Sequence, residues 1–542
     1  MNKKTFIILI SLIFSINLLF AQKRIAPEKP KLIISIFIEG MRYDYLYKYW
    51  DKFSDDGFKK LINNGMFFKN AEYEYLYTKS SSAYATFVTG ANPSQHGIIN
   101  DYWYKRLSNE KVYCTYDKKV NVVGSNSLEN KNSPSSLLCS SFSDELKLSN
   151  FKQSKVISIS PKDYAAVLPA GHLGNAAYWF DKNTGNWISS SYYFSQLPKW
   201  VNRFNNKKFP DIYLNKEWNT TIPIEKYDKC LGDNNSFELG FVGGHNTFPY
   251  ILSELKEASG YNILNSTPFG NTYTKDFAIS TIVNENLGKD KYCDYLNISF
   301  TATSNITKKF SIRSVEIADT YIRLDKDLKH FINFINDFVG LENTIIILTS
   351  DRGSADTPRL LKNINMPGGY FKDKNAETLL QSYTRALYNK NNFIEYFDGS
   401  NLYLNRSKIE SKKYNLPEIQ QSIANFLVDF TGVANSVTSI DLESRNYTSG
   451  MLMRAQNSYH KKRSGDISVI LEPGYLPGSD SEYGSGYRNF TNVPLIFYGW
   501  KIKHGESYKS VSITDVAPTL ARFLKISYPN ASTGKVIEEL LK

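Results

Sequence analysis

The acids and hydroxyls of this 542-residue chain that are best placed to do chemistry sit at the ends of short apolar runs. Leu32 to Ile38 closes on Glu39-Gly40, Tyr295 to Phe300 on Thr301-Ala302-Thr303-Ser304, and Thr344 to Thr349 on Ser350-Asp351-Arg352-Gly353. A fourth run, Val493 to Tyr498, is preceded by Thr491-Asn492. Runs of this kind predict buried strands of a parallel sheet. Ligands of open α/β sheets sit outside the carboxyl ends of strands. Carboxylates and hydroxyls that recur there predict one shared site on one sheet edge.

The segments between these runs read as the elements that position it. Phe58 to Asn64 has helical spacing and stops at Gly65, and Phe67 to Tyr77 alternates as an extended segment. A hydroxyl-rich stretch, Thr78 to Ser82, leads into a helix that stops at Thr89-Gly90, where Ser80 can act as a helix cap. Val156 to Ser160 reads as a strand and Ser314 to Phe338 as a long amphipathic helix feeding the third run, which makes a strand, crossover helix, strand unit. Ile513 to Leu520 predicts a helix capped by Thr514. Two stretches, about 171–291 and about 357–467, break the alternation with aromatics, Asn and turn signals and predict cap insertions beside the sheet edge. The expected fold is therefore α/β, with a central, mostly parallel sheet flanked by helices and inserted cap regions.

Composition narrows the function classes. Hydrophobic content of 42% with 22% charged residues fits a globular protein with a sizeable core. The formal charge of +12 falls to +10 without Lys3 and Lys4, and the remaining basic residues are scattered. No nucleic-acid motif accompanies them, so the charge predicts a solvated basic surface with some attraction for anionic envelope polymers. Met1 to Ala21 has the basic start, apolar core and small-residue end of a secretion leader cleaved near Ala21. Its apolar core is shorter than the roughly 20 residues that span a bilayer. The mature chain is expected to be exported, periplasmic or envelope-bound, and not membrane-spanning. Cys114, Cys139, Cys230 and Cys293 would suit two disulfides there, and their spacing resembles no metal knuckle.

A larger pattern is carried by ordered motifs. They run from Ile38-Glu39-Gly40-Met41-Arg42-Tyr43-Asp44-Tyr45-Leu46, through Thr89-Gly90 and His96-Gly97-Ile98, to Ser160-Pro161-Lys162-Asp163 and Leu168-Pro169-Ala170-Gly171-His172. They continue through Trp179-Phe180-Asp181, Asp319 to Asp325, Leu348-Thr349-Ser350-Asp351, Val493 to Gly499 and the segment from Asp515 to Leu520. In this order they resemble the alkaline phosphatase superfamily, with likeness to its flavobacterial-type monoesterases and to nucleotide pyrophosphatase/phosphodiesterases. The resemblance implies an alkaline-phosphatase-like sandwich and phosphoric-ester hydrolysis. It also implies two zinc ions held by carboxylates and histidines around a Ser or Thr nucleophile, a pair that stabilises both attacking and leaving oxygens.

Carried over position by position, that site is depleted. The nucleophile position falls on Ser80 and keeps its hydroxyl. Glu39 stands for the first-strand aspartate, Ser304 and Lys308 for an aspartate and a histidine, and Asp351-Arg352 for Asp-His. Asn492 stands for the last histidine, so only Glu39 and Asp351 keep metal-binding side chains. Lys162 retains a substrate-binding position, Tyr164 replaces an arginine, and Asp101 (or Asn100, one residue back) falls where an asparagine is expected. Of the six histidines, His96 and His172 lie in turn motifs, and His245, His330, His460 and His504 lie in insertions or surface segments. Lys308 and Arg352 put fixed cations in place of zinc ligands, predicting an internally paired network with Glu39 and Asp351. Arg42 and Asp44 are expected to form a structural salt bridge.

Two functions follow. The first is a pseudoenzyme with no cofactor, its role being to bind or scaffold an envelope protein or anionic polymer. The alternative is an active phosphoric-ester hydrolase with Ser80 as nucleophile and a reduced site, in which Glu39 and Asp351 hold one hard cation, Mg²⁺ or Ca²⁺.

Overall fold

The computed structural model describes residues 28–127, 129–478 and 484–541. The proposed leader, Met1 to Ala21, lies outside the described residues. Among them, no helix is long and apolar enough to cross a membrane.

The apolar runs form the centre of a ten-stranded sheet. In chain order its strands are β1 (Leu32–Ile38), β2 (Met66–Glu72), β3 (Val122–Val123), β4 (Val156–Ile159), β5 (Ala176–Phe180), β6 (Trp187–Ser190), β7 (Asp294–Phe300), β8 (Thr344–Thr349), β9 (Asn492–Gly499) and β10 (Gly505–Ser512). Their spatial order is β10-β2-β9-β8-β1-β7-β4-β5-β6-β3. β8, β1, β7, β4 and β5 run parallel, whereas β9 is antiparallel to β8 and to β2. Strand β1 explains why the runs are continuous rather than alternating. Leu32, Ile34, Ile36 and Ile38 face one hydrophobic core and Ile33 and Phe37 the other, so both faces are covered.

Register then sets the site. Ile38 pairs with Phe300 and Phe37 with Thr349, which aligns Glu39, Thr301 and Ser350-Asp351 at one edge. Because β9 runs backwards, with Leu495 opposite Thr349, Asn492 at its start comes to that same edge. Helix α1 (Ser80–Thr89) lies buried against the sheet, α2 (Asp163–Ala170) follows β4, and α3 (Ala302–Phe310) begins at the end of β7. Helix α4 (Val315–Phe338), capped by the Ser314 hydroxyl, is the crossover into β8.

Residues 176–190 supply two strands of the central sheet. Ile394–Phe397, Asn401–Leu404, Ile467–Leu471 and Val433–Thr438 form a separate four-stranded sheet with its own core.

Three sequence-based expectations are corrected. Helix α1 begins at Ser80 rather than near Ser82, and its N-cap residue is Lys79, so the Ser80 hydroxyl is not a cap. The helix near Ile513 is entered through a short 3₁₀ turn whose cap is Ser512, with Asp515 completing a capping box, not Thr514. All four cysteines are free thiols, three of them buried. They lie against different neighbours: Cys114 beside Asp101, Cys139 beside Asp144, Cys230 beside Lys48 and Cys293 beside Asp294.

Candidate active site

Glu39 leaves β1 fully buried. The chain can turn immediately after it because Gly40 takes a positive φ of +71°, where a Cβ would stand 3.0 Å from the Ser354 hydroxyl. The Gly40 amide then donates to Asp351 Oδ1 at 2.8 Å, and Ser350 Oγ donates to the Ile38 carbonyl at 2.7 Å. Backbone bonds therefore lock together the ends of β1 and β8, the two elements that carry the acids.

Each acid is held by a cation and a hydroxyl. Lys162, at the N-cap of α2, places Nζ 2.7 Å from Glu39 Oε2, and the Tyr84 hydroxyl donates to Oε1 at 3.2 Å. Thr303 Oγ1 donates to the Glu39 carbonyl at 2.6 Å. Burial pushes the Glu39 carboxyl up, and Lys162 opposes that rise. Asp351, also fully buried, accepts from Ser80 Oγ at 2.6 Å and stands 3.7 Å from Arg352 Nε. Arg352 Nη2 donates to Ser304 Oγ at 3.2 Å, so two of the positions that the resemblance assigns to metal ligands bond to each other.

The remaining candidates are placed as follows. Lys308 lies one turn after Ser304 on α3 and lines the cavity beside Lys162 and Arg352. Its side chain is exposed along the cavity, and the desolvation its surroundings impose, with the neighbouring Lys162 and Arg352 charges, pushes it down to about 6. Asn492 is turned away, its amide donating to the Ala71 carbonyl at 3.0 Å. Asp101 accepts from the Ser81 amide at 3.3 Å, beside the start of α1, and Asn100 accepts from the Asp101 amide at 2.8 Å. Lys79 is buried, and burial pushes it down to about 7 against the pull of Asp101 and Asp398.

Arg42 and Asp44 form the expected salt bridge at 2.7 Å. His96 is buried, within 3.1 Å of the Thr86 hydroxyl, and burial holds it down at about 3. His172 pairs with Asp144 at 3.1 Å. Both are structural.

Sequence reasoning missed Tyr84 and Thr303 as partners of Glu39. Tyr84 carried a readable signal, because it lies four residues after Ser80 and shares its helix face. Thr303 carried none, since its bond depends on how α3 leaves the sheet.

This donor set does not fit two zinc ions, which take thiolate, imidazole or carboxylate. Ser304, Lys308, Arg352 and Asn492 supply none of these, and among the described residues no three His, Cys, Asp or Glu gather into a metal-holding group. A hard cation takes six or more oxygens. Glu39 is already bonded to an ammonium and a hydroxyl, and Asp351 to a hydroxyl and the Gly40 amide with a guanidinium 3.7 Å away. Beside them opens a cavity of about 600 Å³, lined by Lys162, Lys308 and Arg352 and by apolar residues such as Phe237, Leu239, Tyr370 and Leu476.

Known proteins share this architecture. The family model for type I phosphodiesterase/nucleotide pyrophosphatase matches residues 33–493. A Myroides odoratus protein named calcium-transporting ATPase is 36% identical, over 100% of this chain and 99% of that one. Alkaline phosphatase PhoV of Synechococcus elongatus is 36% identical, over 95% of this chain and 93% of its own. Alkaline phosphatase PafA of Elizabethkingia meningoseptica is 34% identical, over 97% of each chain. The crystal structure of wild-type PafA matches with a TM-score of 0.90, covering 96% of this chain and 100% of that one. The parallel sheet, its flanking helices and the end-to-end likeness agree: the chain belongs to the type I phosphodiesterase/nucleotide pyrophosphatase family, within the alkaline phosphatase superfamily.

Proposed function

We propose that this member of the superfamily is catalytically silent. It would act as an exported binding or scaffolding protein of the cell envelope that meets an envelope protein or an anionic polymer. One arrangement carries the reading. Arg352, fixed between Asp351 and Ser304, puts a permanent cation where the family resemblance requires a zinc ligand. A guanidinium stabilises charge but has no open coordination position and keeps its proton. It therefore cannot supply the metal's second role, lowering the pKa of a bound nucleophile.

A second reading rests on the Ser80 Oγ to Asp351 hydrogen bond at 2.6 Å, which pairs a hydroxyl with a carboxylate able to receive its proton. In that case Ser80 attacks a phosphoric ester, with Lys162 and Arg352 stabilising the developing charge.

The two readings separate in one experiment. Purified protein is analysed for metals and assayed with nitrophenyl phosphate and bis(nitrophenyl) phosphate, with and without added Zn²⁺, Mg²⁺ or Ca²⁺, beside Ser80→Ala. The silent reading expects less than about 0.1 zinc per chain and no release above background, equal in both proteins. Turnover in the wild type that Ser80→Ala abolishes would overturn it.

A further inference from the structure

One wall of the cavity beside Glu39 and Asp351 belongs to no helix or strand. Tyr227 to Pro249 runs without regular structure between the 3₁₀ turn Ile224–Lys226 and the strand Tyr250–Ile251. Irregular stretches longer than about 12–15 residues are uncommon in compact domains and typical of lids and binding loops. This one is tied down at a few points. The Leu231 amide donates to the Arg313 carbonyl at 2.8 Å, and the Leu239 and Gly240 amides donate to the Lys309 carbonyl at 2.8 Å and 3.2 Å. Phe241 is buried against the rings of Tyr250 and Phe310, at 5.1 Å and 5.2 Å between centres. Beside these ties Phe237 and Leu239 line the cavity. Gly232 and Gly244 flank the tied stretch. A Cβ on either would meet nothing within 4 Å, so the chain can bend at both without displacing a neighbour.

Glu238, between the two cavity-lining residues, is turned instead toward Glu316 in the first turn of α4. Glu238 is 9% exposed and Glu316 is fully buried. Glu238 Oε1 accepts from Asn235 Nδ2 at 3.2 Å, and Glu316 Oε1 accepts from the Tyr250 hydroxyl at 2.6 Å. Asp233 is a third acid beside them, its Oδ2 accepting from the Phe248 amide at 3.0 Å. Among the described residues no cation acts on Glu238, whose charged neighbours are Glu316 and Asp233. Ser314 and the Cys230 thiol are further polar neighbours of Glu316. The cations around the strap are engaged elsewhere. Lys52 and Lys229 pair with Asp51, Arg313 pairs with Asp356, Lys48 lies beside Cys230, and the Lys309 ammonium stands 5.4 Å from the centre of the Phe241 ring. His245 is exposed. Burial and the neighbouring Glu316 charge push Glu238 up to about 9, and burial pushes Glu316 up to about 7. Two acids that share a buried space without a cation stay together only while at least one keeps its proton.

We propose that Tyr227 to Pro249 is a proton-operated strap over the cavity. With Glu238 protonated against Glu316 it lies on α3 and α4, and Phe237 and Leu239 close the wall; ionisation of both acids releases it and opens the cavity. An opened Glu238 meets water, where its pKa returns to about 4.3, so opening releases a proton. The open population therefore rises with pH, by up to about ten-fold per unit, until Glu238 ionises in place near 9. The strap works in the same way whether or not Ser80 turns over an ester.

The test is amide hydrogen exchange read by mass spectrometry, in wild type and Glu238→Gln, at about pH 6.5 and about pH 8.5. Each rate is divided by the intrinsic exchange rate at the same pH. The Leu231, Leu239 and Gly240 amides are bonded to α3 and to the Arg313 carbonyl only while the strap is down, so their exchange reports its opening. In the wild type, protection of peptides within 230–248 should fall at least ten-fold between the two pH values, while peptides of β1 keep theirs. Glu238→Gln fixes the neutral form and retains His245, and it should hold the fall to less than three-fold; if it does not fold, Glu238→Met makes the same comparison. Equal falls in wild type and variant, no fall in the wild type, or a fall shared by β1 would each overturn the proposal. Protection restored at the higher pH by added Ca²⁺ would also overturn it, by placing a cation rather than protons among the three acids.

Discussion

Asp351→Asn is the sharpest probe of the site, because it removes a charge while keeping nearly every atom. Asp351 is fully buried, and its oxygens accept from Ser80 and from the Gly40 amide, with the Arg352 guanidinium 3.7 Å away. The substitution leaves Arg352, itself 6% exposed, as a buried cation without its counter-charge. Breaking a buried pair from one side costs about 3–5 kcal/mol. The 3.7 Å separation and the Arg352 bond to Ser304 place the expected loss at the low end, about 3 kcal/mol. Unfolding entropy of about 2.1 cal/mol/K per residue over roughly 500 ordered residues gives about 1 kcal/mol per degree. The melting temperature should therefore fall by about 3 °C. Replacing both partners supplies the control. Asp351→Asn combined with Arg352→Met removes the stranded charge, and neutral replacement of a buried pair is often neutral or stabilising, so most of the loss should return. The assay is a thermal melt of wild type, both single variants and the double variant, each with and without EDTA. A single variant that melts with the wild type, or a double variant no more stable than Asp351→Asn, would refute the paired-network reasoning. A wild type destabilised by EDTA would instead place a metal on Asp351.

Two further outcomes follow from the same geometry. Ser80→Ala deletes the 2.6 Å bond to Asp351 while the Gly40 amide remains, so it should cost about 1–3 kcal/mol and lower the melting temperature by roughly 1–3 °C; an unchanged melt would show that the hydroxyl does not hold Asp351. Lys308 gives a pH signature: an unfolded lysine stays protonated to about 10.4, while the folded one is protonated only below about 6, so the unfolded chain holds the extra proton across that window and stability rises with pH within it. Lys308→Met should flatten the rise between pH 7 and 9, by less than the one-proton limit of about 1.4 kcal/mol per pH unit because cavity water screens the group, and identical slopes in denaturant titrations would show that Lys308 is not held down.

The sheet was legible because its strands are buried on both faces, which writes them as unbroken apolar runs. The edge was legible because polar residues interrupt those runs where ligands sit. Glu39 and Asp351 could be named for that reason, and Ser80, Lys162, Lys308 and Arg352 from the order of the motifs around them. What could not be read were choices made by tertiary direction. Lys162 and Lys308 are both lysines near Glu39, yet the α2 N-cap aims the first at the carboxylate, while the second, on α3, lines the cavity. The Ser80 hydroxyl suited a cap or a site by type alone; only the start of α1 at Ser80 itself settles that it reaches Asp351.

The substitutions also make one electrostatic argument together. Two fully buried carboxylates at a sheet edge need compensating charge, whether a metal supplies it or not. Removing zinc ligands alone would strand Glu39 and Asp351, a loss the fold could ill absorb against a net stability of about 5–15 kcal/mol. Lys162 at 2.7 Å and Arg352 at 3.7 Å meet that need with cations fixed to the chain. Such cations balance charge at every metal concentration, so on the silent reading the edge would be stable without a metal. Unlike zinc, they offer no vacant coordination position where an ester oxygen could be polarised. Restoring imidazole at Lys308, Arg352 and Asn492 and carboxylate at Ser304 should therefore be tolerated only when zinc is supplied. A quadruple variant that melts at the wild-type temperature in EDTA would show that Asp351 never depended on Arg352.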